Sequence, residues 1–279
     1  MTAFADWLAL REPADAAARS PELVQPVRRH LAAMRPAVIH DLGAGTGSMG
    51  RWLAPRLPGP QHWIMYDRDA DLLERASAGM VDTAADSALV TARTRQRDIT
   101  RLTAGDLDGA GLVTASALLD LLTAEEVERV VTACAGAGCP ALLTISVIGR
   151  VGLTPPDPLD GDLAAAFNAH QRRTTGGRRL LGPDAVDATV EAFRRRGATV
   201  LVRPSPWRLG STARAGSHAS ADQVELMSEW LQGWVAAACE QRPELARPAA
   251  AYTRRRLAEA AGGRLGVVVH HSDLLASYE

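Results

Sequence analysis

The chain of 279 residues contains no lysine, and all 31 of its basic residues are arginine. Together with abundant alanine, this composition is typical of a protein encoded by a GC-rich bacterial genome. Arginine runs at 194–196 and 254–256 fall in stretches of helical periodicity, and we interpret both as solvated helix faces. The formal net charge of −1 provides no overall attraction to a polyanion, which disfavours a nucleic-acid substrate.

Cysteine is scarce as well, with only Cys134, Cys139 and Cys239 in the whole chain. No two of them form a C-x-x-C pair, so a disulfide framework and a structural zinc site are disfavoured and a reducing compartment is favoured. The beginning of the chain has no basic segment followed by an apolar one, and no apolar run reaches about 18 residues. We therefore expect a cytoplasmic protein without a membrane span, and we predict no metal site.

What the sequence does contain is enough apolar residues for a large core, at 47% apolar and 23% charged. From residue 37 onward, short apolar runs alternate with helical periodicity. This alternation predicts a parallel sheet with helices on both faces. The predicted strands cover residues 37–42, 62–66, 89–95, 111–115, 141–147, 198–203 and 264–270.

A glycine-rich loop follows the first predicted strand, where Asp41-Leu42-Gly43-Ala44-Gly45-Thr46-Gly47 leads into a helix. Glycines let a ligand approach the backbone, and the start of a helix offers free N–H donors. A dinucleotide site needs G-x-G-x-x-G, but its third glycine would fall at Ser48. The spacing here is G-x-G-x-G, which disfavours an NAD-dependent oxidoreductase.

Two further acids follow the next two predicted strands. Asp67 ends the second strand, where a carboxylate can accept hydrogen bonds from both hydroxyls of a ribose. It could instead cap the following helix, although Asp69 is placed at least as well for that purpose. Asp98 follows the third strand within Arg97-Asp98-Ile99, and an acid before a turn is by itself a weak signal.

Taken together in this order along the chain, these motifs and the segment 113–121 resemble those of the class I S-adenosylmethionine-dependent methyltransferases of bacterial small-molecule type. The resemblance implies that the loop wraps the methionine part of S-adenosylmethionine and that Asp41 helps to hold its ammonium group. It also implies that Asp98 accepts from the adenine amino group and that Ile99 packs on the ring. The implied cofactor-binding residues are Asp41, Gly43, Ala44, Gly45, Gly47, Asp67, Arg68, Asp98, Ile99, Ala115 and Ser116. Ala117 departs from the family, in which many members have a polar or acidic side chain there.

The same resemblance implies a Rossmann-like α/β fold with seven strands in the order 3-2-1-4-5-7-6, strand 7 being antiparallel. It implies an enzyme that transfers the methyl group of S-adenosylmethionine to an oxygen or nitrogen of a small-molecule acceptor, leaving S-adenosylhomocysteine. We expect one domain over residues 1–279, with a helical cover at 1–36 and a cofactor-binding half at 37–147. Insertions at 149–182 and 204–263 should cap the acceptor side, because ligands bind beyond the carboxyl ends of the strands.

Candidates for contact with the acceptor come from these insertions. His170 could act as a general base, since the ordinary pKa of histidine is near neutral, and Phe167 lies on the same helix face. A histidine that only links the cap to the core is the alternative. Phe167, Asn168 and Trp207 are predicted to contact the acceptor; the other ionisable candidates are Asp157, Asp160, Asp162, His218 and Glu225. His270, His271 and Asp273 are expected at the opposite edge of the sheet, because strand 7 runs the other way.

Two other functions stay open at this point. A nucleic-acid methyltransferase should show a basic stripe or an additional RNA-binding domain, and neither is visible in the sequence. A non-catalytic protein on the same fold is the second alternative, because a fold does not fix a function. The sequence leaves open the acceptor, the methylated atom and the oligomeric state, with a homodimer among the states considered.

Overall fold

The chain folds around one twisted sheet, and the computed structural model describes residues 4–211 and 220–278. Helices precede, connect and follow the strands of this sheet. The helices are α1 Phe4–Ala18, α2 Val24–Leu31, α3 Ser48–Leu53, α4 Ala70–Ala78, α5 Ala124–Ala137, α6 Asp160–Gln171, α7 Ala185–Arg195, α8 Ala221–Gln241 and α9 Ala246–Ala261. The strands are β1 Ala37–Leu42, β2 Gln61–Asp67, β3 Val90–Gln96, β4 Leu112–Ser116, β5 Ala141–Thr154, β6 Thr174–Thr175, β7 Arg178–Arg179, β8 Thr199–Pro204, β9 Trp207–Gly210 and β10 Gly266–Ser277.

The strand order of the main sheet is β3-β2-β1-β4-β5-β10-β8, with β9 pairing to β10 outside this path. Strands β1 to β5 run parallel, and β10 runs antiparallel to β5 and to β8. The predicted Rossmann-like class and the predicted order of seven strands are therefore confirmed. β9 is an additional strand that the sequence pattern did not predict.

Both faces of the central strands are buried, which explains their nearly continuous apolar sequences. Side chains alternate between the two faces along each strand. In β1, Ile39 packs with the cluster around Trp63 and Leu53, whereas Leu42 packs with the cluster around Tyr66 and Phe193. The sheet therefore separates two cores, one on each side.

Two strands are longer than predicted. Residues 151–154 of β5 continue past the sheet edge and pair with residues 266–269 of β10, which pair on their other side with β9. The main sheet resumes farther along β10, where Ser272 pairs with Ser146. Because Ser116, the last residue of β4, pairs with Thr144, this part of β10 lies at the carboxyl edge of β4 and β5.

The prediction for the histidine-aspartate group is therefore wrong. His271 pairs with Val147, and Asp273 lies between the pairs made by Ser272 and Leu274. Both residues lie at the carboxyl edge of β4 and β5, because β10 extends to Ser277 instead of ending near His270. The error came from the length of the strand and not from its direction.

A cap of three helices, α6, α8 and α9, packs beside the extended part of β5 and β10 around a core of its own. Trp234 lies at the centre of this core, stacked on Trp230 with 5.4 Å between ring centroids. Arg256 of α9 is only 1% exposed and forms two hydrogen bonds of 2.9 Å to Asp160 of α6. The solvated-face interpretation of the run 254–256 is thus wrong for Arg256, whose partner on another element could not be read from the run itself.

No helix within 4–211 or 220–278 is both long enough and apolar enough to cross a membrane.

Candidate functional site

The glycine loop after β1 adopts backbone angles that explain its composition. Gly43, Gly45 and Gly47 have φ values of 63°, 54° and 85°, the left-handed region that favours glycine. A Cβ on Gly43 would lie 3.0 Å from Leu118 Cδ1, and one on Gly45 would lie 3.2 Å from Leu8 Cδ1. Leucines after β4 and in α1 therefore close directly over the loop.

Asp41, near the end of β1, is a buried carboxyl group with one free oxygen. Its Oδ1 accepts a hydrogen bond of 2.8 Å from Thr114 Oγ1, whereas Oδ2 has no partner among the described residues. Burial raises the pKa of Asp41 to about 7, against opposing effects of the Thr114 bond and of Arg19. A buried acceptor without a donor is costly, so this oxygen is suited to a ligand that brings a donor or a positive charge.

Asp67, at the end of β2, holds the glycine loop in place. Its Oδ2 accepts from Gly45 N at 2.9 Å, and its Oδ1 accepts from Asp69 N at 3.1 Å. Asp69 caps α4 by accepting from two backbone N–H groups, so Asp67 is not needed as the helix cap. Each carboxylate oxygen has a second lone pair, which leaves Asp67 able to accept from ligand hydroxyls.

Asp98, after β3, accepts hydrogen bonds from described residues with only one of its two carboxylate oxygens. Its Oδ1 accepts from the backbone N–H of Thr100 at 3.0 Å and from the Thr100 hydroxyl at 2.7 Å. These bonds lower the pKa of Asp98. Arg101 lies 3.9 Å from Oδ2, too far for a hydrogen bond. This oxygen therefore stays available as an acceptor beside the buried side chain of Ile99.

These acids border one cavity of about 950 Å³ at the carboxyl edge of the sheet. It brings together most of the residues predicted to hold the cofactor. Those that line it are Asp41, Gly43, Ala44, Gly45, Asp67, Arg68, Asp98, Ile99 and Ser116. The other two lie just behind the wall: Gly47 at the start of α3 and Ala115 buried within β4.

Helix α1 forms another wall of the same cavity, through Phe4, Leu8, Arg11 and Asp15. Arg11 and Asp15 bind each other through two hydrogen bonds of 3.0 and 3.2 Å. The segment 1–36 was predicted to be a helical cover, but none of these residues was among the predicted site residues. The spacing of four between Arg11 and Asp15 was a usable signal, because such pairs meet on one helix face.

Arg19, just after α1, reaches the base of the site. Its Nη2 donates to Ser116 Oγ at 2.9 Å and to Ser48 Oγ at 3.1 Å. Beside it, Asp273 accepts from Ser20 N and from Ile145 N, both at 2.8 Å. Ile145 has a φ of 54°, and this left-handed angle in a β-branched residue is a strained feature held by the surrounding contacts. The sequence contained no signal for these contacts of Arg19 and Asp273, because the partners lie far apart along the chain.

The predicted acceptor residues lie outside the cavity lining. His170 is half-buried in α6, with its Nε2 3.2 Å from Glu240 Oε2. Phe167 packs against Trp234, and Asn168 donates to the carbonyl of Gly149 at 2.8 Å. The first two contacts lie within the cap, and the third joins the cap to β5. None of the three side chains lines the cavity, so the cavity does not support a catalytic role for His170.

Trp207 is buried behind α1, and its Nε1 donates to Asp15 Oδ1 at 2.9 Å. It therefore supports the cavity wall from behind. The cavity lining likewise contains none of the remaining ionisable candidates that the structure describes, namely Asp157, Asp160, Asp162 and Glu225. His218 lies outside the described residues.

Within 4–211 and 220–278, no group of three or more histidine, cysteine, aspartate or glutamate side chains could hold a metal ion.

Comparisons with known proteins give neither a matching family model nor a matching curated protein. Among solved structures, a cyclopropane synthase from Mycobacterium tuberculosis is similar at 13% identity and a TM-score of 0.47, over 91% of this chain and 84% of that one. An S-adenosylmethionine-dependent methyltransferase from Geobacter sulfurreducens is similar at 15% identity and a TM-score of 0.44, over 94% and 93%. The magnesium protoporphyrin IX methyltransferase of Synechocystis is similar at 14% and 0.41, over 78% and 85%. Likeness at this level supports no statement about the reaction of this chain.

Proposed function

We propose that this protein is an S-adenosylmethionine-dependent methyltransferase that acts on a small-molecule acceptor. The observation that carries the proposal is the unpartnered Oδ2 of the buried Asp41 in a cavity that Asp67 and Asp98 also line. The three carboxyl groups follow three neighbouring strands in the order β1, β2 and β3. A ligand with an ammonium group, a ribose and an adenine would satisfy them in that order.

The residues fit this cofactor at each part. Asp41 would accept from the ammonium group, which would also supply the positive charge that the buried carboxylate lacks. Asp67 would accept from the ribose hydroxyls with its remaining lone pairs, and Asp98 would accept from the adenine amino group while Ile99 packs on the ring. The backbone of Ala115 and Ser116 and the open glycine backbone would meet the methionine part. When bound, S-adenosylmethionine supplies a methyl group activated by its sulfonium.

The main contribution of the protein to such a reaction would be alignment. Holding an acceptor nucleophile about 3 Å from the methyl group converts a bimolecular displacement into an intramolecular one. Arg19 bonds to Ser48 at the helix start and to Ser116 at the end of β4, and so fixes these two parts of the site relative to each other. The half-buried leucines Leu8 and Leu118 exclude water above the loop.

A dinucleotide fits less well. Its pyrophosphate would lie on the glycine loop, near the carboxyl group of Asp41, and two like charges at close range raise each other's energy. The hydroxyl of Ser48 stands where the third glycine of a dinucleotide loop is needed, and it already accepts from Arg19. Both observations favour a ligand with a cationic end over one with a diphosphate.

Calorimetric titration with S-adenosylmethionine, S-adenosylhomocysteine and NAD tests the proposal. The expected result is micromolar binding of the first two and no binding of NAD. In Asp67→Ala, the loss of charged hydrogen bonds to the ribose should weaken binding by about 2 kcal/mol, roughly 30-fold.

The matched control is Asp69→Ala, two residues away. Asp69 is exposed, caps α4 and does not line the cavity. Its loss should lower stability by about 1 kcal/mol and leave the affinity unchanged. Absence of binding to both sulfur ligands, or tight binding of NAD, would overturn the proposal.

A further inference from the structure

Another carboxyl group lines the same cavity, that of Asp120. It lies in the short 3-10 turn Leu119–Leu121 after β4, as the single charge in the run Leu118–Leu122. Within the described part of the chain, no side chain donates a hydrogen bond to it or pairs with it, and Arg11 is its one notable charged neighbour. Burial raises the pKa of Asp120 to about 6. The side chain is half-buried, and its one hydrogen bond within the described residues is with its own backbone N–H. A carboxylate with so few partners on the lining of a cavity is a candidate to bind a ligand.

The charges around Asp120 leave it uncompensated. On α1, Arg11 is already bound through two hydrogen bonds to Asp15. Arg19 is surrounded by Asp15, Asp273 and Asp41. Around Asp120, carboxyl groups therefore outnumber the guanidinium groups of Arg11 and Arg19. The cavity lining also contains other arginines, of which Arg97 and Arg178 are paired with Asp106 and Glu126. Since Asp41 is accounted for by the ammonium group of the proposed cofactor, Asp120 is the one acid left without a counter-charge among the described residues here.

The mouth of the cavity beside Asp120 is apolar. Phe4 is 63% exposed and Leu121 is 51% exposed, and both line this cavity. They are two of the four large apolar side chains that are exposed among the described residues. Exposed apolar groups at a concave site favour a ligand with an apolar body. Leu8 and Leu118, farther inside, continue the same surface.

Building on the proposed function, we propose that Asp120 binds the ammonium group of an apolar amine and takes a proton from it, so that this amine is the methyl acceptor. The N–H bond of the ammonium group breaks, its electron pair stays on nitrogen, and the proton moves to the Asp120 carboxylate. The freed lone pair forms the new N–C bond while the C–S bond of the donor breaks, and those electrons stay on sulfur. Asp120 then releases its proton to solvent.

The same surroundings argue against other acceptors. A carboxylate acceptor placed beside Asp120 would meet a like charge. An aliphatic alcohol gives up its proton far less readily than an ammonium group, and Asp120 has no second carboxyl or histidine partner in the described structure to strengthen it as a base. An amine with an apolar body matches both the charge of the site and its mouth.

Binding of octylamine, 1-octanol and octanoate to the protein saturated with S-adenosylhomocysteine tests this inference without any turnover. Octylamine should bind more tightly than the other two. Asp120→Asn, which keeps the shape and removes the charge, should weaken octylamine binding about tenfold or more. The control Asp108→Asn removes an exposed acid that lines neither this cavity nor its neighbour, and it should change nothing.

Methylation of octylamine gives a second measurement. In wild type, kcat/KM should rise with pH through a step near pH 6, and Asp120→Asn should lose that step together with about 10²- to 10⁴-fold in rate. Binding of S-adenosylhomocysteine by the variant shows that it is folded.

Several outcomes would overturn the inference. Unchanged octylamine binding in Asp120→Asn, tighter binding of octanoate, or no binding of octylamine while S-adenosylhomocysteine binds would each refute it and leave the proposed function standing. If the variant instead binds S-adenosylmethionine more weakly but S-adenosylhomocysteine equally, Asp120 serves the sulfonium and not an acceptor. Failure of both cofactor forms to bind wild type would refute the proposed function itself.

Discussion

At the scale of single residues, the site contains acids whose burial is unfavourable for the folded chain by itself. Asp41 has one oxygen bonded to Thr114 and the other without a partner among the described residues. Its pKa is raised from 3.8 to about 7, mainly by burial. Protons therefore bind more tightly to Asp41 in the folded chain than in the unfolded chain, and the free energy of unfolding depends on pH.

The sign of this dependence gives a prediction for Asp41→Asn. Well below pH 3.8 the acid is protonated in both states and destabilises neither. As pH rises towards 7, only the unfolded chain ionises freely, so the free energy of unfolding of wild type falls, by on the order of 4 kcal/mol for this residue. The asparagine side chain cannot ionise. The free energy of unfolding of Asp41→Asn should therefore rise relative to that of wild type between about pH 4 and pH 7, and the difference should stay constant above about pH 7.

Urea unfolding of both proteins at several pH values between about 4 and 8 measures the difference. The other buried acids contribute equally to both curves and cancel. Asp108→Asn, on the surface, should follow the wild-type curve. Parallel curves for wild type and Asp41→Asn would show that Asp41 is not desolvated in the folded protein.

At the scale of elements, α1 is held against the rest of the fold by polar contacts to two elements, α3 and β9. Glu12 pairs with Arg51 of α3, Asp15 accepts from Trp207 of β9, and the backbone carbonyl of Ala16 accepts from Trp52 Nε1 at 3.1 Å. The helix has little amphipathic character of its own. Trp7, Leu10, Ala14 and Ala18 nevertheless pack against the core of the cap, so the position of α1 over the glycine loop depends on apolar packing and on these polar contacts together.

Trp207→Phe tests that dependence. The ring and most of its packing are kept, but Asp15 loses its hydrogen bond from Nε1, which should lower stability by about 1 to 2 kcal/mol. Hydrogen exchange should increase in α1 before it increases in the sheet. Trp63→Phe is the matched control, because Trp63 is buried and donates to Gln61 at 2.9 Å, away from α1. Equal protection of α1 in wild type and Trp207→Phe would contradict this account.

At the scale of the whole molecule, the cap and the sheet have separate apolar cores. Trp234 lies in the cap core with α6, α8 and α9, whereas Phe193 lies in the core between α7, α5 and the sheet. The long strands β5 and β10 run through both. Two cores joined by a shared pair of strands can open separately, as cooperative units of different stability.

Trp234→Ala should therefore destabilise the cap by about 3 to 5 kcal/mol through the cavity it leaves. Hydrogen exchange should rise in α6, α8 and α9, while S-adenosylhomocysteine affinity stays within about threefold of wild type, since no described residue of a cap helix lines the cavity. Phe193→Ala should instead raise exchange in the sheet. If both variants raise exchange evenly along the chain, the molecule is one cooperative unit and this prediction is wrong.

The sequence by itself determined the parts of the protein in which cause and effect are close along the chain. Glycines at 43, 45 and 47 permit left-handed angles that other residues resist, and the acids at 41, 67 and 98 each stand at or just after the end of a predicted strand. The strand order was implied by the resemblance to class I methyltransferases that these motifs carry. The sequence therefore predicted the Rossmann-like sheet, its order and the carboxyl groups that line the cavity.

Only the tertiary structure decided which other residues line the cavity. The length of β10 depends on pairing with β5 and β9 and on a bulge at Asp273, so His271 and Asp273 moved to the edge opposite to the one predicted. His170 does not line the cavity, because α6 packs in the cap, where the Nε2 of His170 lies 3.2 Å from Oε2 of Glu240. Asp120 and α1 line the cavity because of contacts between distant parts of the chain, such as the hydrogen bond between Asp15 and Trp207, which are 192 residues apart. Local spacing carries no information about such partners, because the burial and charge of a side chain depend on what the rest of the chain places beside it.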